Sequence, residues 1–274
     1  MLYLVATPIG NLGDITLRAI ELLRNCDAIY CEDTRHTLQL LNHLQIKKPL
    51  ISCHKHNERS RASEICTLLK EGKEIVYVSD AGMPGISDPG EVLVQSCQRE
   101  GLPCTVIPGA SAVLTAAVLS GFPVQPFTFF GFLTREGKKR REEMEQIRLL
   151  NHLVILYESP FRVKETLHDL LIALGDIPCT VVRELTKKYE EVKRGSLSEL
   201  ISYYEEPPKG ECVICFIPDP VSSSDTQIDP EQWMISNYSS FSSIRDLASA
   251  ASNVCSIPKR KAYQIALALF SNKE

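Results

Sequence analysis

No apolar run in the 274 residues approaches the ~18 to 20 that a membrane-crossing helix needs, which argues against a helical membrane protein. The first residues, Met1-Leu2-Tyr3-Leu4-Val5-Ala6-Thr7-Pro8, lack the basic opening of a secretion signal and meet Pro8 too early for its apolar core. A cytoplasmic protein is expected. Charge of one sign is not in surplus: 30 Lys and Arg stand against 34 Asp and Glu, a net −4, which excludes a coat for nucleic acid built on bulk positive charge. It leaves room for a local basic patch. Neither GxGxxG nor GxxxxGK[ST] occurs, so the usual dinucleotide and triphosphate loops are missing. The one CxxC, Cys212-Val213-Ile214-Cys215, lacks the second ligand pair that a zinc site needs. It sits in a strand-like run, where an offset of three puts the thiols on opposite faces. No metal is expected, and the ten cysteines, several inside apolar runs as with Cys97, Cys104 and Cys179, read as reduced thiols acting as small hydrophobes.

What is present is the composition of a soluble globular chain, 44% hydrophobic and 23% charged, long enough for one large domain or two modest ones. Short β-branched runs alternate with segments of helical period, which is the pattern of an α/β protein with mainly parallel sheets. In the first half, Leu2 to Ala6, Ala28 to Cys31, Ile75 to Ser79 and Cys104 to Ile107 read as strands. Thr16 to Leu23, Thr37 to Leu44, Arg59 to Glu71, Glu91 to Glu100 and Ser111 to Leu119 read as helices. After the proline-bearing break Gly121 to Pro126 the alternation restarts, with strands over Phe127 to Leu133, Leu153 to Tyr157, Thr180 to Val182 and Glu211 to Ile217. The composition changes again at Pro218 to Pro230, where Ser222, Ser223, Ser224 and Asp225 read as a flexible linker. Beyond it Ile244, Leu247, Ala248 and Ala251 share one helical face, and Ala262, Ile265, Ala266 and Leu269 share another. The expected organisation is an α/β domain over 1–121, a second α/β domain over 122–218 and a small helical module over 226–274.

In open parallel sheets ligands bind beyond the carboxyl ends of the strands, so the segments that follow the strands matter most. Thr7-Pro8-Ile9-Gly10-Asn11-Leu12-Gly13-Asp14 follows the first strand. Asp80-Ala81-Gly82-Met83-Pro84-Gly85-Ile86-Ser87-Asp88-Pro89-Gly90 follows Ile75 to Ser79, and its glycines and prolines suit either a close backbone approach to a ligand or a surface turn. Pro108-Gly109-Ala110-Ser111-Ala112 follows Cys104 to Ile107, with Ser111 placed to cap a helix.

Together these three strings resemble the tetrapyrrole methylase superfamily of S-adenosylmethionine-dependent methyltransferases. Cys31-Glu32-Asp33-Thr34-Arg35, His54-Lys55-His56-Asn57-Glu58, Tyr157-Glu158-Ser159-Pro160-Phe161-Arg162 and Arg183-Glu184-Leu185-Thr186-Lys187 extend the likeness, which runs in order over Leu2 to Phe216. Porphyrin-acting members carry Gly-Asp-Pro where this chain has Ser79-Asp80-Ala81, as is usual in the ribosomal RNA branch. That branch 2′-O-methylates a cytidine of small-subunit ribosomal RNA. The resemblance implies two α/β domains with S-adenosylmethionine in the cleft between them, plus a C-terminal helical module. It implies cofactor contacts from Ile9, Asp80, Met83, Ser111 and Ala112, and from Tyr157, Glu184 and Gly210 in the second domain. A homodimer is expected by analogy, acting on small-subunit ribosomal RNA, with the assembled subunit as substrate. The competing readings are a precorrin, porphyrin or diphthine-type methyltransferase of the same superfamily, and a non-catalytic RNA-binding or ribosome-assembly protein.

A 2′-hydroxyl must lose its proton as it is methylated, and Glu32, Asp33, His54, His56 and Glu58 follow strand-like runs on the rim where RNA is expected. Helix caps or salt bridges with Arg35 or Arg59 are the competing roles. RNA also needs cations for its phosphates. Arg135, Lys138, Lys139, Arg140 and Arg141, and in the tail Lys259, Arg260 and Lys261, are the candidates, with solvated helix faces as the alternative. Arg35, Asn57 and Lys187 complete the expected substrate side.

Overall fold

In the computed structural model the described residues are 1–219, 230–238, 241, 243–255 and 257–270. The expected linker Ser222 to Asp225, and Ser256 ahead of the last helix, lie outside them. Met1–Pro220 make one compact unit and Val221–Glu274 another.

The first sheet contains β1 (Leu2–Val5), β2 (Ala28–Cys31), β3 (Leu50–Ser52), β4 (Ile75–Val78) and β5 (Cys104–Ile107), all parallel, in the order β3-β2-β4-β1-β5. Leu2 pairs with Ile75 on one side and Cys104 on the other. Helices α1 (Leu17–Asn25) and α2 (Thr34–His43) cover one face, where Val5, Ile29, Val76 and Val78 pack on Ala19, Leu23 and Leu41. Helices α3 (Glu58–Lys70) and α4 (Glu91–Arg99) cover the other, where Leu2, Leu4 and Tyr77 pack on Ile65, Leu69 and Leu93. Both faces of the central strands β1, β2 and β4 are dry, which is why they read as unbroken apolar runs. β3 is three half-buried residues at the edge, too short to stand out in the sequence. α2 starts three residues before the expected Thr37 because the Asp33 side chain caps it, accepting the Arg35 N–H at 2.8 Å.

Helix α5 (Ala112–Ser120) leads to the second sheet. Its N-cap Ser111 accepts from the Leu114 N–H, and it ends at Gly121, left-handed at φ 81°. Val113, Ala116 and Ala117 bury against Leu153, Ile155, Val182 and Cys215. The last carbonyls of α5 are taken up from that sheet: Ser120 O accepts from Thr180 at 3.1 Å, and Leu119 O from Arg194. The second sheet holds β6 (Phe127–Phe132), β7 (Leu153–Glu158), β8 (Pro178–Arg183), β9 (Glu191–Ser196) and β10 (Cys212–Phe216), ordered β6-β7-β10-β8-β9. Helices α6 (Gly137–Arg148), α7 (Val163–Leu174) and α8 (Leu197–Tyr203) cover its other face through Ile147, Leu167, Leu170 and Leu200.

The expectation of mainly parallel sheets fails in this second sheet. Only β6 and β7 pair in parallel, while β10 runs antiparallel to β7 and β8, and β9 antiparallel to β8. For β9 the cause is connection length: the link from Arg183 to Glu191 is too short for the crossover that a parallel neighbour requires. β9, Glu-Val-Lys-Arg-Gly-Ser, escaped the sequence reading because it is a charged edge strand rather than an apolar run. In β10 the thiols do part company. Cys212 faces the core with Ile214 and Phe216, and Cys215 faces the core under α5 with Val213.

In the second unit, α9 (Pro230–Asn237), α10 (Ile244–Val254) and α11 (Lys259–Phe270) share a core of Met234, Leu247, Ala251, Ala262, Ala266 and Phe270. Lys259, Arg260 and Lys261 form the exposed first turn of α11. Among the described residues no helix is long and apolar enough to cross a membrane.

Candidate active site

Three neighbouring parallel strands, β4, β1 and β5, deliver their following loops to one edge of the first sheet. Thr7 and Gly82 exchange main-chain hydrogen bonds of 2.9 and 3.0 Å, which zips the loop after β1 to the loop after β4. The loops touch so closely that side chains are squeezed out. A Cβ at Gly82, whose φ is 78°, would lie 3.3 Å from Ile9, and one at Gly109 would lie 2.9 Å from the Ala6 Cβ.

Against these loops lies a cavity of about 420 Å³ whose second side comes from β7 and β10. Ile9, Asp80, Met83, Ser111, Ala112 and Tyr157 line it, six of the eight positions expected around a cofactor. Glu184 and Gly210 are not among its lining residues. They back onto each other instead: a Cβ at Gly210 would collide with the Glu184 carboxylate, which Lys187 Nζ holds at 2.8 Å. That lysine bond keeps the Glu184 carboxyl below the usual range. Lys187 meets Glu211 at 2.8 Å as well, and although burial opposes its charge, the two carboxylates hold its pKa above normal. Lys187 lines an adjoining cavity of about 430 Å³.

Charge distinguishes the first cavity. Asp80, Asp88, Glu158 and Glu211 line it, and no Lys, Arg or His is among the described lining residues. Glu158 is 2% exposed and engaged, accepting from the Thr166 hydroxyl at 2.5 Å and the Ser159 N–H at 2.8 Å. Asp88 escaped the sequence reading. Burial, helped by the charge of nearby Glu32, pushes its carboxyl up to about 6. In sequence Asp88 belongs to a string of turn residues. Only the path of the loop, which passes through Ser87 at φ 66°, brings it to the cavity wall.

The expected base candidates separate by environment. Glu32 is half-buried, and burial, reinforced by the Asp80 charge, raises its carboxyl. Asp33 is spent on α2: the Arg35 guanidinium at 2.6 Å, with the helix N–H, holds it down to about 2, where it has little basicity. Its own N–H donates to Asp80 at 3.0 Å, which ties the start of α2 to the loop after β4. Glu58 is 5% exposed and accepts the Gly90 N–H at 2.7 Å, so it clasps the start of α4 rather than facing a cavity. Asn57 accepts the His54 N–H at 2.8 Å and donates to Ser52 O at 3.2 Å, a turn-forming role. His54 and His56 meet edge to face at 5.8 Å, and neither lines the two cavities.

The basic run splits too. Arg135, Lys138, Lys139 and Arg141 are exposed. Arg140 is not: it is 6% exposed, bound to Asp169 at 2.7 Å, Thr134 O at 3.0 Å and Thr166 Oγ1 at 3.1 Å. It pins α6 to α7 and is removed from the set of RNA contacts.

The family model for Tetrapyrrole (Corrin/Porphyrin) Methylases matches residues 1–201. A protein of Thermotoga maritima named Ribosomal RNA small subunit methyltransferase I is 49% identical over 214 residues, 78% of this chain and 96% of its own. A Synechocystis protein of the same name is 41% identical over 277 residues, 98% of each chain. The crystal structure of uroporphyrin-III C-methyl transferase from Thermus thermophilus complexed with S-adenyl homocysteine shares the fold at a TM-score of 0.57. Its identity is 19%, over 78% of this chain and 96% of that one.

Proposed function

The chain belongs to the tetrapyrrole methylase family, and from that premise we propose that it transfers the methyl group of S-adenosylmethionine to a cytidine ribose 2′-oxygen in small-subunit ribosomal RNA. The observation that carries this reading is the acidic cavity at the three zipped loops. S-adenosylmethionine brings a sulfonium and an ammonium, and a wall carrying four carboxylates suits both: Lys187 pairs with Glu211 and Arg162 lies 3.7 Å from Glu158, but neither cation lines the cavity, and Asp80 and Asp88 face it. Its carboxylate suits the positive N-terminal end of α5, where Ser111 and Ala112 line the cavity. Ile9, Met83 and Tyr157 supply the apolar surface for the rest. The donor set therefore fits the cofactor.

When bound, the cofactor supplies an electrophilic methyl that is already activated. The chain's work is to hold the acceptor in line and take up its proton. Alignment of two reactants supplies ~7 to 11 kcal/mol, whereas a positioned base adds ~10²- to 10⁴-fold, or ~3 to 5 kcal/mol. Positioning by a rigid cleft is the larger share, and the zipped loops provide that rigidity. Glu32, half-buried beside Asp80 and with its carboxyl raised by burial and by the Asp80 charge, is the base we assign from the expected set.

In this reading residues 1–121 and 122–218 flank the cofactor. Arg135, Lys138, Arg141 and Lys187 contact RNA, as do Lys259, Arg260 and Lys261 of the helical module 226–274, the enzyme is a homodimer in the cytoplasm, and its substrate is the assembled subunit. The test is to map 2′-O-methylation on ribosomal RNA from cells with and without the gene, alongside calorimetry with S-adenosylmethionine. Loss of one cytidine mark on deletion supports the reading. No change in the marks overturns it, and absence of cofactor binding points to a non-catalytic assembly factor instead.

A further inference from the structure

The cavity lined by Lys187 adjoins the acidic one, and Ile9, Asp80, Ala81 and Glu211 line both, so the two share a wall. Methyl transfer requires donor and acceptor atoms ~3 to 3.5 Å apart, and two neighbouring cavities meet that condition only at the wall they share. We propose that this second cavity seats the target pyrimidine nucleoside, its base stacked on His36, its hydrogen-bonding edge read by Gln39 and its ribose at the shared wall. The inference rests on the methyltransferase reading above and names the acceptor's seat within it.

The side chains argue for a base. His36 and Gln39 are exposed residues of α2 that line the cavity, and at i and i+3 they lie on one face of that helix. An imidazole is a flat surface on which a splayed-out base stacks, and a carboxamide offers one acceptor and a two-hydrogen donor to a Watson–Crick edge. The start of α2 is held to the shared wall by the 3.0 Å bond from the Asp33 N–H to Asp80 Oδ1, so the reader helix and the reaction edge move as one.

The charge balance argues against a porphyrin-type acceptor. Lys187 and His36 are the only basic side chains among the described lining residues, and Asp80 and Glu211 oppose them. Lys187 is already paired with Glu184 and Glu211. A ring bearing many carboxylates would stay largely unneutralised there, whereas an uncharged base needs no cation.

The experiment uses the full chain with small-subunit particles from cells lacking the gene, and with particles in which the cytidine marked by wild type is changed to uridine. H36A is expected to lower kcat/KM for particles ~5- to 100-fold, the span of base–aromatic stacking, with H36F restoring most of it. Q39A is expected to narrow the preference for cytidine over uridine. Both leave S-adenosylmethionine affinity unchanged by calorimetry. Wild-type kcat/KM in H36A, an unchanged cytidine preference in Q39A, or an H36F as poor as H36A overturns the assignment of this cavity. A wild-type enzyme that methylates no particle overturns the underlying reading instead, so the two failures are told apart.

Discussion

The carboxylate of Glu58 accepts a 2.7 Å hydrogen bond from the main-chain N–H of Gly90, joining the first residue of α3 to the N-cap of α4. This bond closes the far end of the loop that begins at Asp80. Removing it in Glu58→Ala leaves a buried N–H unpaired, and a loss of ~1 to 3 kcal/mol is expected from such a group. Urea unfolding measures the loss, and a weaker S-adenosylmethionine affinity follows because Asp80, Met83 and Asp88 belong to the loop. A variant with wild-type stability and affinity contradicts the clasp.

Arg140 and Arg141 are neighbours in sequence with opposite fates. Arg140→Ala strips α7's Asp169 of its partner and Thr166 of a donor and is expected to cost about 3 kcal/mol of stability. Arg141→Ala is expected to leave stability within ~0.5 kcal/mol while flattening the salt dependence of RNA binding. Equal unfolding midpoints for the two variants, or an unchanged salt slope for Arg141→Ala, would count against this division.

The two adjacent acids Glu32 and Asp33 are expected to respond differently to neutral substitution. Glu32→Gln removes the half-buried carboxyl beside Asp80 and should abolish most methyl transfer while cofactor affinity stays near wild type. Asp33→Asn keeps a capping side chain for α2 and should retain activity, whereas Asp33→Ala should lose ~1 kcal/mol of stability with the cap. Single-turnover methylation and thermal melts on the three variants decide it. Full activity in Glu32→Gln removes it as the base.

Asp88 carries a pH signature. Its carboxyl is raised in the fold from the ordinary 3.8 to about 6 by burial and by the Glu32, Asp80 and Glu211 charges. The folded state therefore binds its proton more tightly than the unfolded chain does. The ionised form weighs against folding above about pH 6, and that penalty fades as pH falls from 6 toward 3.8. Asp88→Asn should melt at a higher temperature than wild type at pH 7.5, with the gap clearly narrower at pH 4.5. A gap that is flat across this range refutes the assignment.

The chain's local rules are written in its sequence. The central strands of the first sheet read as apolar runs because both faces are covered, and Ser111 announces α5 because a hydroxyl at that spot satisfies a helix N–H. The three glycine-bearing loops are legible for the same reason, since backbone conformation depends on the residue and its neighbours. Six of eight expected cofactor positions line one cavity, because strand ends carry their loops to a common edge.

What only the tertiary structure decided is which partner each polar side chain meets. Glu58 lies 32 residues from Gly90, and Arg140 lies 29 from Asp169, so nothing near them in sequence separates a clasp from a base or a pin from an RNA contact. Asp88 becomes part of the cavity wall only through the path of its loop, and the antiparallel β9 follows from a connection to β8 too short for a crossover. Side-chain chemistry is intrinsic, but desolvation and hydrogen-bond partners come from packing between distant segments, and these set whether a carboxylate is a structural tie or an acid–base group.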